Sequence, residues 1–305
     1  MSISAFFSNG IGNFVLASPA MIALAHCSVG DFTCYIPDSD PRIKAIASIA
    51  HPLIKVLPLS QVSVCEHYFS FWGFDLKHLA RIGIELEKVH TQSKPDFASG
   101  ANEEDSYREF VENVWDIDTA AYGLFANHSI SWNLYKAQGQ RLVAIANGCN
   151  AKWGAKRWPF FGELCKELEG SGVQFVFVGD SADTQFGEEI KRSLSDPNRL
   201  WNFAGKLSLA ESAGLVKQCD VLVCNDTALM HVANAIGTPV VALFGPTYVT
   251  KNGPRHNAIT IQSDSGGCRY FKCLHTSHLY RCADNVCMQS ISSKRVASAV
   301  RGVLQ

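Results

Sequence analysis

The chain has 305 residues, 47% of them hydrophobic and 18% charged, with 27 basic against 28 acidic side chains. That length favours two domains, each large enough to bury its own core, and 18 Phe in so weakly charged a chain exclude disorder. A formal net charge of −1 with no Lys/Arg run argues against nucleic acid as a partner. No apolar run is long enough to span a membrane and no basic region opens the N-terminus, so we expect a soluble intracellular protein.

In chain order, Ile3 to Phe7 reads as a short strand, Asn9 to Asn13 as a flexible Gly-containing turn, Phe14 to Ala25 as a helix and Phe32 to Ile36 as a second strand. His90 to Asp118 is polar and acidic, and its run Glu103-Glu104-Asp105 reads as a solvated helix face. We expect a domain junction near Gln138-Gly139-Gln140. Beyond it strands and helices alternate. Arg141 to Ala146, Val173 to Val178, Val221 to Cys224 and Pro239 to Phe244 are strand-like; Phe160 to Leu168, Phe186 to Leu194, Leu209 to Gln218 and Ala228 to Ile236 are helical. This alternation predicts mostly parallel sheets with helices on both faces. Ser292 to Leu304 has the pattern of a terminal amphipathic helix.

The most informative stretch runs from Val221 to Thr247. A buried strand ending at Cys224, a turn through Asn225-Asp226-Thr227 and a helix from about Ala228 would point free N–H groups and a positive helix end out of the strand's carboxyl edge. That arrangement suits a diphosphate, and ligands of open parallel sheets lie at that edge. His231 lies one helical turn further in, and Asp226 could accept hydrogen bonds from sugar hydroxyls. A bare Asp-Thr pair is equally an ordinary helix cap.

This stretch, with Lys156-Arg157-Trp158-Pro159 and Gly205-Lys206-Leu207-Ser208-Leu209, resembles glycosyltransferase family 9, the heptosyltransferase-like enzymes. Those proteins carry a K-x-W-P element, a G-K-x-S-L element and a D-T-G-x-x-H-x-x-A-A-x-G-T-P run followed by F-G-P-T; here Ala228 and Asn234 stand at a usual Gly and Ala. Gly10-Ile11-Gly12-Asn13-Phe14 with Pro19 is similar to the family's first loop and helix. The resemblance implies an α/β protein of the GT-B class, two Rossmann-like domains with mostly parallel sheets facing across a cleft. Residues 1–138 would form the acceptor side and 139–290 the nucleotide-sugar side, with 291–305 packing back towards the first domain.

The resemblance further implies that Lys156 is the cation on the donor diphosphate, whose charge grows as the glycosidic bond breaks. Thr227 and the Ala228 N–H would hold the same phosphates beside His231, Leu207 would pack on the base, Asp183 would take a ribose hydroxyl, and Gly12 would allow close backbone approach. Asp183 reads equally as a helix cap, and Leu207 as a plain core residue. With Lys156, His231 and a helix end to neutralise the leaving group, catalysis would need no metal cofactor. The implied partners are a nucleotide-diphosphate sugar and a glycan or glycolipid acceptor such as lipopolysaccharide core. This places the protein in the cytoplasm, with peripheral contact at the inner membrane face.

Asn13 departs from the pattern. The family's general base is an Asp at this position, and Asn can orient a hydroxyl but cannot take its proton. Another carboxylate serves, the acceptor is activated differently, or the chain is a degenerate nucleotide-binding scaffold; Glu66, His67, Asp75 and Asp116 are candidate substitutes. A sugar-nucleotide epimerase of similar architecture is a further alternative. Finally, Cys268, Cys273, Cys282 and Cys287 form a C-x4-C-x8-C-x4-C cluster, compatible with structural Zn or Fe, with disulfides or with free thiols.

Overall fold

The computed structural model describes residues 1–129, 132–149, 151–265, 267–273 and 276–305. The chain divides into two compact units, Met1–Asn127 and His128–Gln305. The first carries β1 (Ile3–Phe6), α1 (Ile11–Cys27), β2 (Phe32–Ile36), α2 (Ile43–Ile49), β3 (Ile54–Pro58), β4 (His67–Ser70), α3 (Lys77–Arg81), β5 (Val89–Thr91) and α4 (Glu103–Trp115). Its strands are all parallel in the order β3-β2-β1-β4-β5. The order reverses between β1 and β4, which opens a crevice at their carboxyl ends. Apolar residues all round α1 bury it between the sheet and α4, where Phe14, Leu16, Met21 and Leu24 join Phe7, Phe69, Phe71 and Tyr107 in one core.

The second unit carries β6 (Arg141–Ala146), α5 (Phe161–Leu168), β7 (Val173–Phe177), α6 (Thr184–Ser193), β8 (Leu200–Asn202), α7 (Leu209–Lys217) and β9 (Val221–Asn225). It continues through α8 (Ala228–Ala235), β10 (Val240–Phe244), α9 (Val249–Asn252), β11 (Ala258–Gln262), α10 (Ser277–Arg281), α11 (Val286–Gln289) and α12 (Ser293–Leu304). Its parallel strands run β11-β10-β9-β6-β7-β8, with the reversal between β6 and β9. Central strands buried on both faces must be largely apolar; β10 is so throughout, and β6, β7 and β9 are so apart from Arg141, Gln174 and Asn225. Each unit is therefore a Rossmann-like α/β layer, and the fold class is GT-B.

Three expectations are corrected. Segment 128–138 belongs with the second unit, because the Ser129 N–H donates to the Ala210 carbonyl, the Leu134 N–H to Gln218 Oε1, and Lys136 pairs with Asp220. The first loop is shorter than its glycines suggest: α1 already begins at Ile11, so Asn13 sits in its first turn. The acidic run is not solvated, since Glu103 is 0% and Glu104 5% exposed. It opens α4, where the Asn102 side chain caps the Glu104 and Asp105 N–H groups and the helix dipole favours carboxylates. Within the second unit α12 puts Val296, Ala297 and Val300 into the core against α5.

Candidate active site

Two crossings meet at the β6/β9 switch point. After β6, a 3-10 segment from Ala151 to Lys156 carries Lys156 back over the sheet edge; it is broken at Trp153 (φ −122°, ψ 31°). After β9, Asn225-Asp226-Thr227 lead into α8. Trp158 anchors the first crossing: its ring is 0% exposed, its indole N–H donates to the Ile291 carbonyl at 2.8 Å and its backbone N–H to Asn225 Oδ1 at 3.0 Å. Asn225 Nδ2 in turn donates to the Asn147 carbonyl at 2.9 Å. One buried amide thus ties both crossings together.

Between them Lys156 Nζ donates to Asp226 Oδ2 at 2.9 Å, and Asn252 Nδ2, at the end of α9, donates to Asp226 Oδ1 at 3.2 Å. Burial pushes the Asp226 carboxyl up, but the Lys156 ammonium and neighbouring His231 outweigh it and hold the acid below the usual range. His231, one turn into α8 and 4% exposed, is lowered to about 4 chiefly by burial; Asp226 opposes that shift, while Lys156 and Lys251 add to it. It is a neutral imidazole near pH 7. Thr227 is the N-cap of α8 by backbone position, yet its side chain accepts nothing from the helix, and Thr227 Oγ1 is buried without a hydrogen-bond partner among the described residues. The first N–H groups of α8, beginning at Ala228, have no intrahelical acceptor. The Lys156 ammonium, the unpartnered Thr227 hydroxyl and the start of α8 thus gather at one carboxylate, with Lys251 near enough to act on His231, an arrangement suited to an anion.

The remaining sequence expectations fall as follows. Asp183 stands at the N-cap of α6, but its side chain bonds none of that helix's N–H groups; it closes a capping box with Asp180, which accepts from the Ala182 N–H while Asp183 accepts the Asp180 N–H. Its carboxylate pairs with Arg157 at 3.1 Å and lies at the carboxyl ends of β6 and β7, where Gly148 and Gly179 have no Cβ to obstruct it. Desolvation raises its pKa against the opposing pull of Arg157. Leu207 is half-buried in the loop before α7, not a core residue. Gly205 shapes that loop at φ +73°, its bare Cα facing the Ser181 backbone.

Gly12 and Asn13 lie in the first unit, on α1, and the other donor-side residues in the second. Sequence reasoning missed Asn225, Lys251 and Asn252. The turn composition after β9 and the segment beyond Gly245-Pro246-Thr247 held them, but no spacing rule marks a residue that acts from a four-residue helix. It also missed Glu103, discussed below. All eleven cysteines are free. Cys273 and Cys282 pack together beside Leu279, and Cys287 is pushed up to about 12, chiefly by burial. Among the described residues no group of three His, Cys, Asp or Glu is arranged to hold a metal ion.

Residues 92–280, more than half of the chain, match the model of glycosyltransferase family 9 (heptosyltransferase). The chain belongs to glycosyltransferase family 9. Lipopolysaccharide heptosyltransferase 2 of Salmonella typhimurium is 41% identical over 97 residues, 30% of this chain and only 28% of that relative's length. Among solved structures, Escherichia coli ADP-heptose lipopolysaccharide heptosyltransferase II superposes with a TM-score of 0.75 at 19% identity, covering 100% of this chain and 98% of that one. The iron-containing dodecameric glycosyltransferase TibC of enterotoxigenic Escherichia coli superposes at 0.64 with 14% identity, covering 99% and 76%. These two likenesses establish the shared fold.

Proposed function

We propose that this family 9 protein moves a heptose from ADP-heptose to a hydroxyl of a bacterial surface glycan such as lipopolysaccharide core. The observation that carries the reading is the 2.9 Å contact of Lys156 with Asp226 at the start of α8, beside the unpartnered Thr227 hydroxyl. The acceptor oxygen bonds the anomeric carbon as the bond to the β-phosphate oxygen breaks. The electron pair leaves with the diphosphate, the hydroxyl proton is released, and the anomeric configuration inverts. Lys156, Lys251 and the α8 N–H groups face the charge that grows on the leaving oxygen, so the step needs no divalent cation. Asp226 accepts from sugar hydroxyls, Asp183 from the ribose, and Leu207 covers the base. A glycolipid acceptor calls for peripheral contact at the inner face of the cytoplasmic membrane; among the described residues no helix is long and apolar enough to cross one.

The decisive experiment offers ADP-heptose, with UDP- and GDP-sugars as controls, together with lipopolysaccharide extracted from a core-truncated strain. Release of ADP that needs both substrates and vanishes in Lys156→Ala supports the transferase; binding without turnover makes the chain a scaffold. A structural Fe or Zn at Cys268, Cys273, Cys282 and Cys287 is the second part of the proposal. It is supported by the C-x4-C-x8-C-x4-C spacing and by the packing of Cys273 with Cys282 beside Leu279. Metal analysis of protein purified without chelator tests it, and a stoichiometry near zero ends it.

A further inference from the structure

Asn13 cannot accept a proton, yet it touches a residue that can. In the first unit its Nδ2 donates to Glu103 Oε1, ninety positions along the chain. Glu103 is 0% exposed, opens α4, and accepts a second hydrogen bond from the Tyr107 hydroxyl at 3.2 Å. That hydroxyl is itself met by Asn9 Nδ2 at 3.4 Å, and Asn9 also donates to the Trp72 carbonyl. These residues come from the loops that follow β1 and β4, from the first turn of α1 and from α4, so they ring the switch point of the first sheet.

With Nδ2 committed to Glu103, Asn13 Oδ1 is turned towards Gly10. A Cβ there would stand 3.1 Å from that oxygen and 3.7 Å from Arg42 Nη1. Glycine thus sets no side chain against that oxygen, and the Arg42 guanidinium, paired with Asp40, lies close by. A carboxylate costs several kcal/mol to bury unless its partners use the charge, and a solvated helix face would have needed none of this arrangement.

We propose that Glu103 supplies the negative charge that α1 lacks, acting as a positioning residue through Asn13 on the acceptor hydroxyl. Glu103 fixes the amide so that Oδ1 accepts the hydrogen bond of that hydroxyl and directs its lone pair at the anomeric carbon. The charge-assisted bond from Nδ2 polarises the amide and makes Oδ1 a stronger acceptor. Glu103 itself meets no substrate, and the proton passes to solvent. The inference rests on the transferase reading and assigns its acceptor side.

Three pairs at positions 13 and 103 separate hydrogen bonding from charge. Glu103→Gln keeps the bond, Asn13 Nδ2 to the new amide oxygen, and removes the charge. Asn13→Asp with Glu103→Gln keeps a bond of reversed direction and moves the charge to α1. Asn13→Asp alone puts two carboxylates in contact, so one is held protonated and the acid limb of the kcat profile moves upward.

With ADP-heptose and core-truncated lipopolysaccharide, Glu103→Gln should lower kcat by about 100-fold while leaving ADP binding by calorimetry unchanged. The wild-type acid limb should disappear from the residual activity, and the double variant should recover most of the rate. Wild-type kcat and pH profile in a folded Glu103→Gln protein overturn the inference, as does a folded double variant no faster than the single one. A wild-type protein that releases no ADP overturns the transferase reading first and this one with it.

Discussion

Lys156 Nζ stands 2.9 Å from Asp226 Oδ2 with side chains only 10% and 6% exposed. The two residues come from different crossings of one sheet, seventy positions apart. A buried pair of this kind is seldom a source of stability, because desolvating both charges offsets most of their attraction. Its presence at a helix start beside an unpartnered hydroxyl instead fits a cation kept in place and ready for a second anion.

The pair should therefore dissociate its two roles under mutation. Asp226→Asn leaves the ammonium buried without its counter-charge and should cost about 3–5 kcal/mol of stability. Added ADP should return more of that stability than it gives the wild type, because the diphosphate then supplies the missing charge. Lys156→Met should instead weaken ADP binding and lower kcat by about 100-fold or more. The double variant Lys156→Met with Asp226→Asn should melt near the wild type and stay inactive. Thermal melts with and without ADP, read beside ADP release, check all three; an ADP shift unchanged in Lys156→Met would remove the lysine from the diphosphate.

His231 makes stability depend on pH. Burial, reinforced by Lys156 and Lys251 and opposed by Asp226, lowers the folded pKa to about 4 from 6.5. The unfolded chain therefore binds the proton first. The contribution of the neutral imidazole is present in full above about pH 6.5 and is lost as pH falls towards 4, by an amount of order 3 kcal/mol. Denaturant midpoints measured between pH 7 and pH 4 should fall more steeply for the wild type than for His231→Gln. Parallel pH dependences for the two proteins would show that the ring protonates as readily when folded.

Most strands and helices of the second unit were legible, but β8, α9, β11, α10 and α11 were not read from the sequence. Central strands of a parallel sheet must be continuously apolar, so β6, β9 and β10 stand out between helices that start at Ser208 or end near Gly237, and the boundaries read from the sequence agree to within a residue or two. The contact of Lys156 with Asp226 beside His231 could be anticipated because these residues follow strand ends at short range. In the first unit β1, α1 and β2 were legible and the rest was not. A run of three acids is normally solvated, and only tertiary packing of α4 on α1 buries Glu103 beside Asn13. Contacts formed across ninety residues leave no period to detect. The same holds for Lys251, an unremarkable lysine until α9 folds it in.

Asp183 gives a steric test. Its Oδ2 would lie 2.5 Å from a Cβ at Gly148 and 2.7 Å from one at Gly179, closer than any tolerated contact, so an alanine at either position must push the carboxylate aside. Such a shift costs about 1–3 kcal/mol and breaks the 3.1 Å pair with Arg157, whose guanidinium also rests 4.2 Å from the Phe186 ring centre. If Asp183 takes a ribose hydroxyl, Gly148→Ala should raise the KM for ADP-heptose with little change in kcat. An altered melting temperature with unchanged KM would leave Asp183 a structural partner of Arg157 alone.

Asn225 and Trp158 separate anchoring from chemistry. Asn225 is 0% exposed and bonds both the Trp158 backbone N–H and the Asn147 carbonyl. Asn225→Ala thus leaves two buried groups unpaired, at about 1–3 kcal/mol each, and frees the crossing that carries Lys156. Trp158→Phe keeps an aromatic ring and the backbone bond to Asn225 and loses only the indole donation to the Ile291 carbonyl. Both variants should melt lower, Asn225→Ala by more. Only Asn225→Ala should also lose kcat, because a cation displaced by about 1 Å no longer meets the developing charge, a misplacement able to cost about 100-fold. Trp158→Phe should turn over at nearly the wild-type rate below its melting temperature. Equal losses of kcat in the two variants would mean that the Lys156 crossing is held by the tryptophan's packing rather than by the buried amide.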